Sequence, residues 1–552
     1  MRKLALTFFV LILSCSDNPI IVWENYDETQ EIEYNSNHEI SRMRYKRLQS
    51  ITKDRNEIFK PFHDFLKSYD ISHHNSIKDL IINQNISSIQ SHILEGKFNY
   101  EDLVKFYLYR IYNFEMDKDL YLNSIISLNP EIINEAKELD RNNKPDNLLY
   151  GIPILVKDNI NVEGMVTSAG ATVFKDNFID FDARVIENLK NNNALILGKL
   201  NMSEWAYYFC RPCPVGYSSL GGQTLNPYGR KVFESGGSSS GSGVSIAANF
   251  AVASIGSETS GSILSPSSKN SLVGLKPTIG SISRSGIVPI SSFFDTSGPM
   301  TTNVYDNAIL YNSMIGYDDK DQLSYKADKI DLEEMTSFNP KNIVVGMSSN
   351  DLKDSLISIA LDDLKITGVS NSIYDPEQYS LPSFRSILTS DMKRDLPKYI
   401  SDYANKDIQV FNVTDIVEFN NKDTLIHAPY GQYIFNEIKE DEVSDSELKQ
   451  MKINTKSQAT NYLNKIMTNN DFDIFISVDN NMAGIAAAAH FPALTIPMGY
   501  RSDGLPSNIT FIAKSRNEQL LYNIAYRYEN QSKRRVAPKK YNWTPKIIKR
   551  IC

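Results

Sequence analysis

A lysine at the end of an apolar run and two serines in glycine-rich runs are the residues of this chain best suited to chemistry. The run at 150–157 is short and rich in β-formers, which predicts a buried strand that ends at Lys157. Burial disfavours the ammonium form, so such a lysine can be neutral and act as a base. Ser238 and Ser262 follow in the glycine-rich runs, and a serine needs a base to become a strong nucleophile. These residues allow a serine nucleophile with a lysine base; taken alone, a lysine at the end of a strand is more often a solvated charge, and Ser262 could equally be a helix cap.

A second serine chemistry is formally present in the same run. Gly237-Ser-Ser-Ser-Gly241 matches the Gly-x-Ser-x-Gly nucleophile elbow, with Ser239 as nucleophile and His427 or His490 downstream, as in a Ser-His-Asp esterase. An elbow lies between an apolar strand and a helix, and 226–234 does not have a strand pattern. The elbow is therefore the weaker alternative, and His490, next to Phe491-Pro492, is interpreted as a packed core residue.

The elements that must position these residues alternate between helix and strand. Helical spacing runs through 76–144, and the strand at 150–157 is followed by a helix at 183–190 and a strand at 194–198. Strands are also predicted at 474–478 and 493–498, and helices at 352–364, 444–467 and 517–529. Alternation of this kind predicts an α/β fold.

The glycine- and serine-rich stretch at 221–298 is not a linker. It contains apolar segments at 244–253 and 271–275, whereas a flexible linker would be glycine and serine throughout. The small residues therefore predict tight loops inside a core. By contrast, 317–470 is polar and less regular, and we expect it to line the entrance to the site.

Composition sets the protein class. The chain has 552 residues, 41% of them hydrophobic, which is sufficient for a large core and too much for a disordered protein. A net charge of −8 gives no basic footprint for a phosphate backbone, so nucleic acid is not expected as a partner.

The first residues resemble a secretory signal. Arg2 and Lys3 precede an apolar run at 4–13 that is too short to span a bilayer, and the run ends at Ser14-Cys15. This ending is similar to the lipobox of bacterial lipoproteins, which predicts diacylation of Cys15 and a lipid-anchored protein in the bacterial cell envelope, outside the cytoplasm. An ordinary signal peptide is the alternative. The polar, acidic stretch at 16–34 is interpreted as a tether.

Four cysteines are too few for a disulfide framework once Cys15 is set aside. Cys210 and Cys213 form a Cys-x-x-Cys pair, but the sequence has no partner pair to complete a zinc site. We predict no metal, and leave open whether the two sulfurs form a local disulfide or remain thiols.

Several motifs together resemble the amidase signature family, and within it the bacterial peptide amidases. The shared blocks extend from about residue 76 to 529: Gly151-Ile-Pro-Ile-Leu-Val-Lys-Asp158, Gly198-Lys-Leu-Asn-Met-Ser-Glu-Trp205, Gly222-Gln-Thr-Leu-Asn-Pro227, Ser235-Gly-Gly-Ser-Ser-Ser-Gly-Ser-Gly243, Gly256-Ser-Glu-Thr-Ser-Gly-Ser262, Gly274-Leu-Lys-Pro-Thr278, Pro289-Ile-Ser291 and Asp295-Thr-Ser-Gly-Pro-Met300. Several separate blocks in the same order make a chance similarity very improbable.

The resemblance implies a fold and a catalytic set. The fold is a single large mixed, twisted sheet covered by helices on both faces. Matched motif by motif, Lys157 is the base, Ser262 the nucleophile that forms an acyl-enzyme, and Ser238, reached through a non-proline cis peptide, the proton relay between them. The implied reaction converts a carboxylic amide, of a small molecule or of a peptide C-terminus, to an acid plus ammonia or amine, without a cofactor.

The resemblance also assigns Thr259, Ser260 and Gly261 to an oxyanion hole, since their backbone N–H groups precede the nucleophile. The family usually has Asp where Ser260 stands, and many members have Arg where Leu264 stands. These departures keep open a noncatalytic surface lipoprotein on a degenerate amidase scaffold.

The predicted organisation is a lipoprotein signal at 1–15, a tether and N-terminal extension at 16–75, an amidase domain at 76–535 and a C-terminal tail at 536–552. The expected partners are an amide substrate and, through the lipid anchor, a membrane. The sequence does not predict an oligomeric state.

Overall fold

The computed structural model describes residues 18–142 and 144–542. Cys15 and the rest of the predicted signal lie outside the described residues, as do the last ten residues of the predicted tail. No helix within the described ranges is both long and apolar enough to cross a lipid bilayer.

Most of the strands form one large sheet. They are β1 (Ile125–Leu128), β2 (Pro153–Lys157), β3 (Leu195–Leu200), β4 (Tyr217–Ser218), β5 (Gly222–Gln223), β6 (Ala253–Glu258), β7 (Val273–Lys276), β8 (Thr296–Thr301), β9 (Val344–Ser348), β10 (Ser370–Tyr374), β11 (Ile474–Val478), β12 (Ala493–Tyr500) and β13 (Pro506–Ile512). Among the described residues, eleven of them form a sheet in the order β1-β3-β2-β6-β8-β7-β12-β13-β11-β9-β10, and β4 pairs with β5.

The sheet is mixed, as predicted. Strand β2 lies between β3 and β6 and runs parallel to both, and β9 is parallel to β10 and β11, while the remaining neighbours are antiparallel. Every residue of β2 is buried, because strands cover both of its edges and apolar side chains cover its faces.

Helices flank the sheet. They are α1 (Thr29–Asn35), α2 (Asn56–Phe59), α3 (His63–Ser68), α4 (Ile71–Ile77), α5 (Ile86–Leu94), α6 (Tyr100–Glu115), α7 (Ile132–Asn142), α8 (Arg184–Asn191), α9 (Ser240–Ala247), α10 (Leu264–Lys269), α11 (Val304–Met314), α12 (Leu332–Ser337), α13 (Ile357–Thr367), α14 (Phe384–Tyr403), α15 (Val413–Asn421), α16 (Thr424–His427), α17 (Tyr433–Lys439), α18 (Asp445–Asn470), α19 (Ala483–Ala488) and α20 (Glu518–Ser532). The predicted α/β fold class is confirmed.

The strands with the clearest apolar pattern were predictable. The strands expected at 150–157, 194–198, 474–478 and 493–498 are β2, β3, β11 and β12. Two strands were missed in 317–470, where β9 and β10 extend the sheet at one edge. The outermost strand, β10, has four of its five residues at least partly exposed, so its composition is polar and carries no strand signal.

The expected tether is wrong from Asn18 onward, because that part of the chain packs on the domain. The backbone N–H and side-chain amide of Asn18 donate to carbonyl groups of Lys67, Leu66 and Tyr69 at 2.8–3.1 Å. Trp23 is only 6% exposed and joins the main apolar core. Hydrogen bonds and one buried indole hold the segment, and hydropathy does not reveal such contacts.

Candidate active site

Lys157 is the last residue of β2 and is completely buried. Its Nζ lies 2.8 Å from Ser238 Oγ, 2.9 Å from Ser257 Oγ and 3.0 Å from the Ser257 carbonyl oxygen. Three acceptors satisfy the three hydrogens of an ammonium group, while a neutral amine in this position can accept the Ser238 proton. The structure therefore brings Lys157 and Ser238 together as the sequence predicts.

Burial lowers the pKa of Lys157 to about 7, and the negative charges of Asp295 and Glu258 partly oppose this shift. A lysine with this pKa is substantially neutral near pH 7, which is what a base requires. Asp295 itself has its pKa raised to about 6 by burial, against hydrogen bonds from Thr259, Ser291 and Ile290.

Ser238 lies in a loop whose backbone requires glycine at positions 236 and 237. The Gly237–Ser238 peptide bond is cis. Gly236 has a φ of +68°, and a Cβ at Gly237 would lie 2.6 Å from a Val215 methyl group and 2.7 Å from Ser203 Oγ. The loop is held in place by Ser203, which donates its N–H to the Ser238 carbonyl at 3.1 Å.

Ser262 lies between β6 and α10 and is 9% exposed. Its carbonyl accepts the N–H of Ser239 at 3.2 Å, which ties the nucleophile segment to the relay loop. Among the described residues, no hydrogen bond joins Ser262 Oγ to Ser238 Oγ. Lys157 and Ser238 are in direct contact, and Ser262 lies next to them. Hydrogen bonds in such sites commonly tighten only when substrate binds.

The predicted oxyanion segment is organised by Glu258. Its buried carboxylate accepts the N–H groups of Gly261 and Ile263 at 2.6 Å and of Leu264 at 3.0 Å. The N–H of Gly261, which the sequence assigned to the oxyanion hole, is therefore already engaged. In the described part of the chain the N–H groups of Ser260 and Ser262 have no acceptor, and the Thr259 hydroxyl donates to Asp295 at 2.5 Å.

Three residues of the site were not predicted as members. Ser257 Oγ accepts from Lys157 and also from the Asn159 amide at 2.9 Å, so both orient the lysine. Asp295 holds Thr259 and influences the pKa of Lys157. Each lies inside or beside a motif that the sequence made visible, but a motif does not show which side chains converge on the lysine.

The backbone beside the relay loop is left-handed at three successive residues. Trp205, Ala206 and Tyr207 have φ values of 51°, 55° and 69°. Side chains at such angles cost of order 1–2 kcal/mol each, and such strain concentrates at functional sites. Ala206 lines a cavity of about 10 Å³ together with Ser257, Thr259 and Asp295, so this strained turn forms one wall of the site.

The histidine alternative has no geometric support. Ser239 is fully buried, and its hydroxyl donates to the Ser257 carbonyl at 3.0 Å and accepts the Ser257 N–H at 3.2 Å. His427 bonds instead to the Thr172 hydroxyl at 2.7 Å. His490 is buried against Phe293, and burial holds its pKa well below the usual value, as expected for a core residue.

The two departures from the family pattern have different surroundings. Leu264 is fully buried in an apolar cluster, so a hydrocarbon side chain is well accommodated there. Ser260 is partly exposed and faces the start of α19 near Gly484. Cys210 and Cys213, left open by the sequence, form a disulfide.

A cleft of about 410 Å³ adjoins the site at Asp295. Part of its lining comes from 317–470, the segment expected at the entrance. The residues from that segment are Lys320, Asp321, Gln322, Leu323, Asp395, Lys398, Tyr399, Tyr403 and Lys452.

Comparison with known proteins agrees with this geometry. The protein-family model described as Amidase matches residues 102–477, well over half of the chain. The chain belongs to the amidase signature family. It is 34% identical to an amidase family protein from Bacillus anthracis, with a TM-score of 0.84 over 90% of this chain and 100% of that one.

Two further relatives support this membership. A peptide amidase from Stenotrophomonas maltophilia is 31% identical, with a TM-score of 0.78 over 83% of this chain and 98% of that one. A probable amidase of Arabidopsis thaliana is 28% identical over 82% of this chain and 91% of its own length. This amidase signature protein is therefore an amide-hydrolysing enzyme.

Proposed function

We propose that the protein hydrolyses a carboxylic amide through an acyl-enzyme on Ser262, with Ser238 as proton relay and Lys157 as base. The observation that carries the proposal is the buried Lys157 Nζ, whose pKa is lowered to about 7, at 2.8 Å from Ser238 Oγ. Burial favours the neutral form of this lysine, and its position allows it to accept the proton of the Ser238 hydroxyl.

In the first half-reaction, neutral Lys157 accepts the Ser238 hydroxyl proton while Ser238 accepts the proton of Ser262. Ser262 Oγ bonds to the amide carbon, and the resulting oxyanion accepts N–H groups of the 259–262 segment, of which those of Ser260 and Ser262 have no other acceptor among the described residues. The carbon–nitrogen bond then breaks, and the proton held by Lys157 returns through Ser238 to the leaving nitrogen.

In the second half-reaction, water takes the place of the departed amine. It gives a proton through Ser238 to Lys157, and its oxygen bonds to the acyl carbon. The ester bond to Ser262 breaks, the proton held by Lys157 returns through Ser238 to Ser262 Oγ, and a carboxylic acid leaves. The sequence of steps needs no metal or redox cofactor.

For the substrate, we propose the amide of a peptide C-terminus, by similarity to the peptide amidase. The cleft beside Asp295 offers Phe293, Tyr399 and Tyr403 together with Arg284 and Lys452. Aromatic groups of this kind suit the side chains of an extended peptide. Arg284 and Lys452 line the cleft as members of ion pairs with Asp321 and Asp391. We also propose that Cys15 is diacylated and that the enzyme is anchored in the bacterial cell envelope.

A labelling experiment tests the mechanism. A fluorophosphonate should modify Ser262 in the purified protein, because only an activated serine attacks such a reagent. Mass spectrometry should find no label in Ser262→Ala, slow labelling in Ser238→Ala, and normal labelling in the control Ser239→Ala. A label on Ser239 would support the elbow, and a folded protein that takes up no label would support the noncatalytic lipoprotein.

A further inference from the structure

A groove on the surface lies apart from the catalytic residues and has the character of a binding site. It has a volume of about 680 Å³ and lies between the loop at 227–232, Tyr500 and the C-terminal segment at 536–540. None of its lining residues also lines the cavities at Asp295. Small-molecule sites typically have volumes of about 300–1,000 Å³, so this groove has the size of one.

The floor of the groove is apolar because its polar atoms are already used. The hydroxyl groups of Tyr228 and Tyr500 both donate to the Val536 carbonyl at 2.8 Å, and Tyr500 accepts the Val536 N–H at 2.7 Å. The two rings therefore present only carbon to the groove, with their centres 5.7 Å apart. Val232 and Val536, 53% and 57% exposed, extend this apolar surface.

The rim of the groove is cationic and contains no acidic residue. It carries Arg230, Lys231, Lys539 and Lys540. Glu31 pairs with Lys231, and Arg230 donates to backbone carbonyls, including that of Tyr121 at 3.0 Å. Within the part of the chain that the structure describes, Arg230, Lys539 and Lys540 have no acidic partner. Two lysines without an acidic partner, together with Arg230, whose guanidinium is held by backbone carbonyls, therefore lie beside an apolar floor in a protein whose net charge is −8.

From this combination we infer that the groove binds an anionic lipid with a single acyl chain, the chain lying on the tyrosine and valine floor and the acidic head group at the rim. Among the described residues, the tyrosine and valine side chains of the floor offer no free hydrogen-bonding group. The rim is therefore the part of the groove that suits a polar head group, a carboxylate or a phosphate.

Calorimetric titration of the full-length protein with dodecanoate, below its micellar concentration, tests the inference. We expect one saturable site, with acetate giving no binding and dodecyltrimethylammonium binding at least about tenfold more weakly. Absence of saturable dodecanoate binding, or equal binding of acetate, would overturn the inference.

Three variants locate the site, and all change exposed side chains, so the fold should survive; far-UV circular dichroism checks this. Lys539→Glu combined with Lys540→Glu should weaken dodecanoate binding at least about tenfold. Val232→Asp should abolish binding and leave amide hydrolysis unchanged. The control Lys533→Glu reverses another exposed lysine of the same C-terminal region, outside the groove, and should keep the dissociation constant within about twofold.

Amide hydrolysis in the presence of dodecanoate separates this groove from the active site. If dodecanoate inhibits hydrolysis equally in the wild type and in Val232→Asp and also binds both proteins with the same stoichiometry and affinity, its site is the active site and not the groove. If the control Lys533→Glu weakens binding as much as the rim variant does, the attraction is general rather than local. Either result contradicts the inference without affecting the proposed amidase mechanism.

Discussion

Glu258 Oε1 accepts the backbone N–H of Gly261 at 2.6 Å, so a buried carboxylate fixes the segment that carries the nucleophile. The same carboxylate also accepts the N–H groups of Ile263 and Leu264. The Glu258 side chain thus determines which backbone N–H groups of this turn remain free to bind substrate.

Glu258→Gln should lower both activity and stability. A glutamine has one acceptor oxygen where the glutamate has two, and its NH₂ group would oppose a backbone N–H donor. An unsatisfied buried donor costs about 1–3 kcal/mol, so we expect a lower Tm, and a misplaced oxyanion segment should reduce kcat on the order of a hundredfold. Thermal unfolding and steady-state ammonia release measure the two effects. Unchanged kcat would contradict the assigned role of Glu258.

Lys157→Met should abolish activity at every pH, by on the order of a thousandfold or more. In the wild type, kcat/KM should rise with pH through about 7, because only neutral Lys157 accepts a proton. A wild-type profile that is flat between pH 6 and pH 8 would argue against lysine as the base.

The same variant should alter the pH dependence of stability. In the wild type the folded protein releases the Lys157 proton at about pH 7, whereas the unfolded chain holds it until about pH 10.4. Between these values the unfolded state binds more protons, so this group raises the free energy of unfolding as pH increases. The Tm of Lys157→Met should exceed that of the wild type most below pH 7, and the difference should shrink toward pH 10.

Asp295→Asn should shift the acidic limb of the activity profile to lower pH. Asp295 is the larger of the two negative influences that raise the pKa of Lys157, so loss of its charge should lower that pKa. Asparagine can keep its oxygen on the N–H groups of Ile290 and Ser291, while its NH₂ group donates to the Thr259 hydroxyl, which can also accept a hydrogen bond. A shift to higher pH, measured as the midpoint of kcat/KM against pH, would show that Asp295 acts differently.

Ser257→Ala should lower kcat about tenfold with little change in KM, since a hydrogen bond to a charged group is worth about 1.5 kcal/mol or more. Ser257 Oγ lies 2.9 Å from Lys157 Nζ, where it orients the lysine. The matched variant Ser257→Thr keeps the hydroxyl and should retain most of the activity. Equal loss in both variants would indicate a packing effect instead.

Cys15→Ala should move the protein from the membrane to the soluble fraction of cells, because the proposed diacyl group is the predicted anchor. Immunoblotting of separated fractions measures this. A Cys15→Ala variant that remains entirely in the membrane fraction would contradict the lipoprotein proposal.

The sequence predicts the positions of Lys157, Ser238 and Ser262 because each lies in a local pattern: a β-forming apolar run or a glycine-rich loop. It does not predict that Gly261 gives its N–H to Glu258, since that contact depends on how the chain turns after β6. Strand β10 was missed for a different reason, because an exposed edge strand has no apolar alternation to detect. Local sequence patterns thus predicted the positions of the catalytic residues. Contacts between residues that folding brings together could be identified only from the structure.

If Cys15 carries the proposed lipid, the attachment of Asn18 to the domain limits how far the enzyme can reach from the membrane. With the proposed lipid on Cys15, two residues separate the modified cysteine from the first residue fixed on the domain, and three extended residues span at most about 10 Å. The folded body would then lie within roughly that distance of the head groups. An enzyme anchored at this distance would encounter amides in or on the bilayer more often than amides dissolved in the bulk solvent.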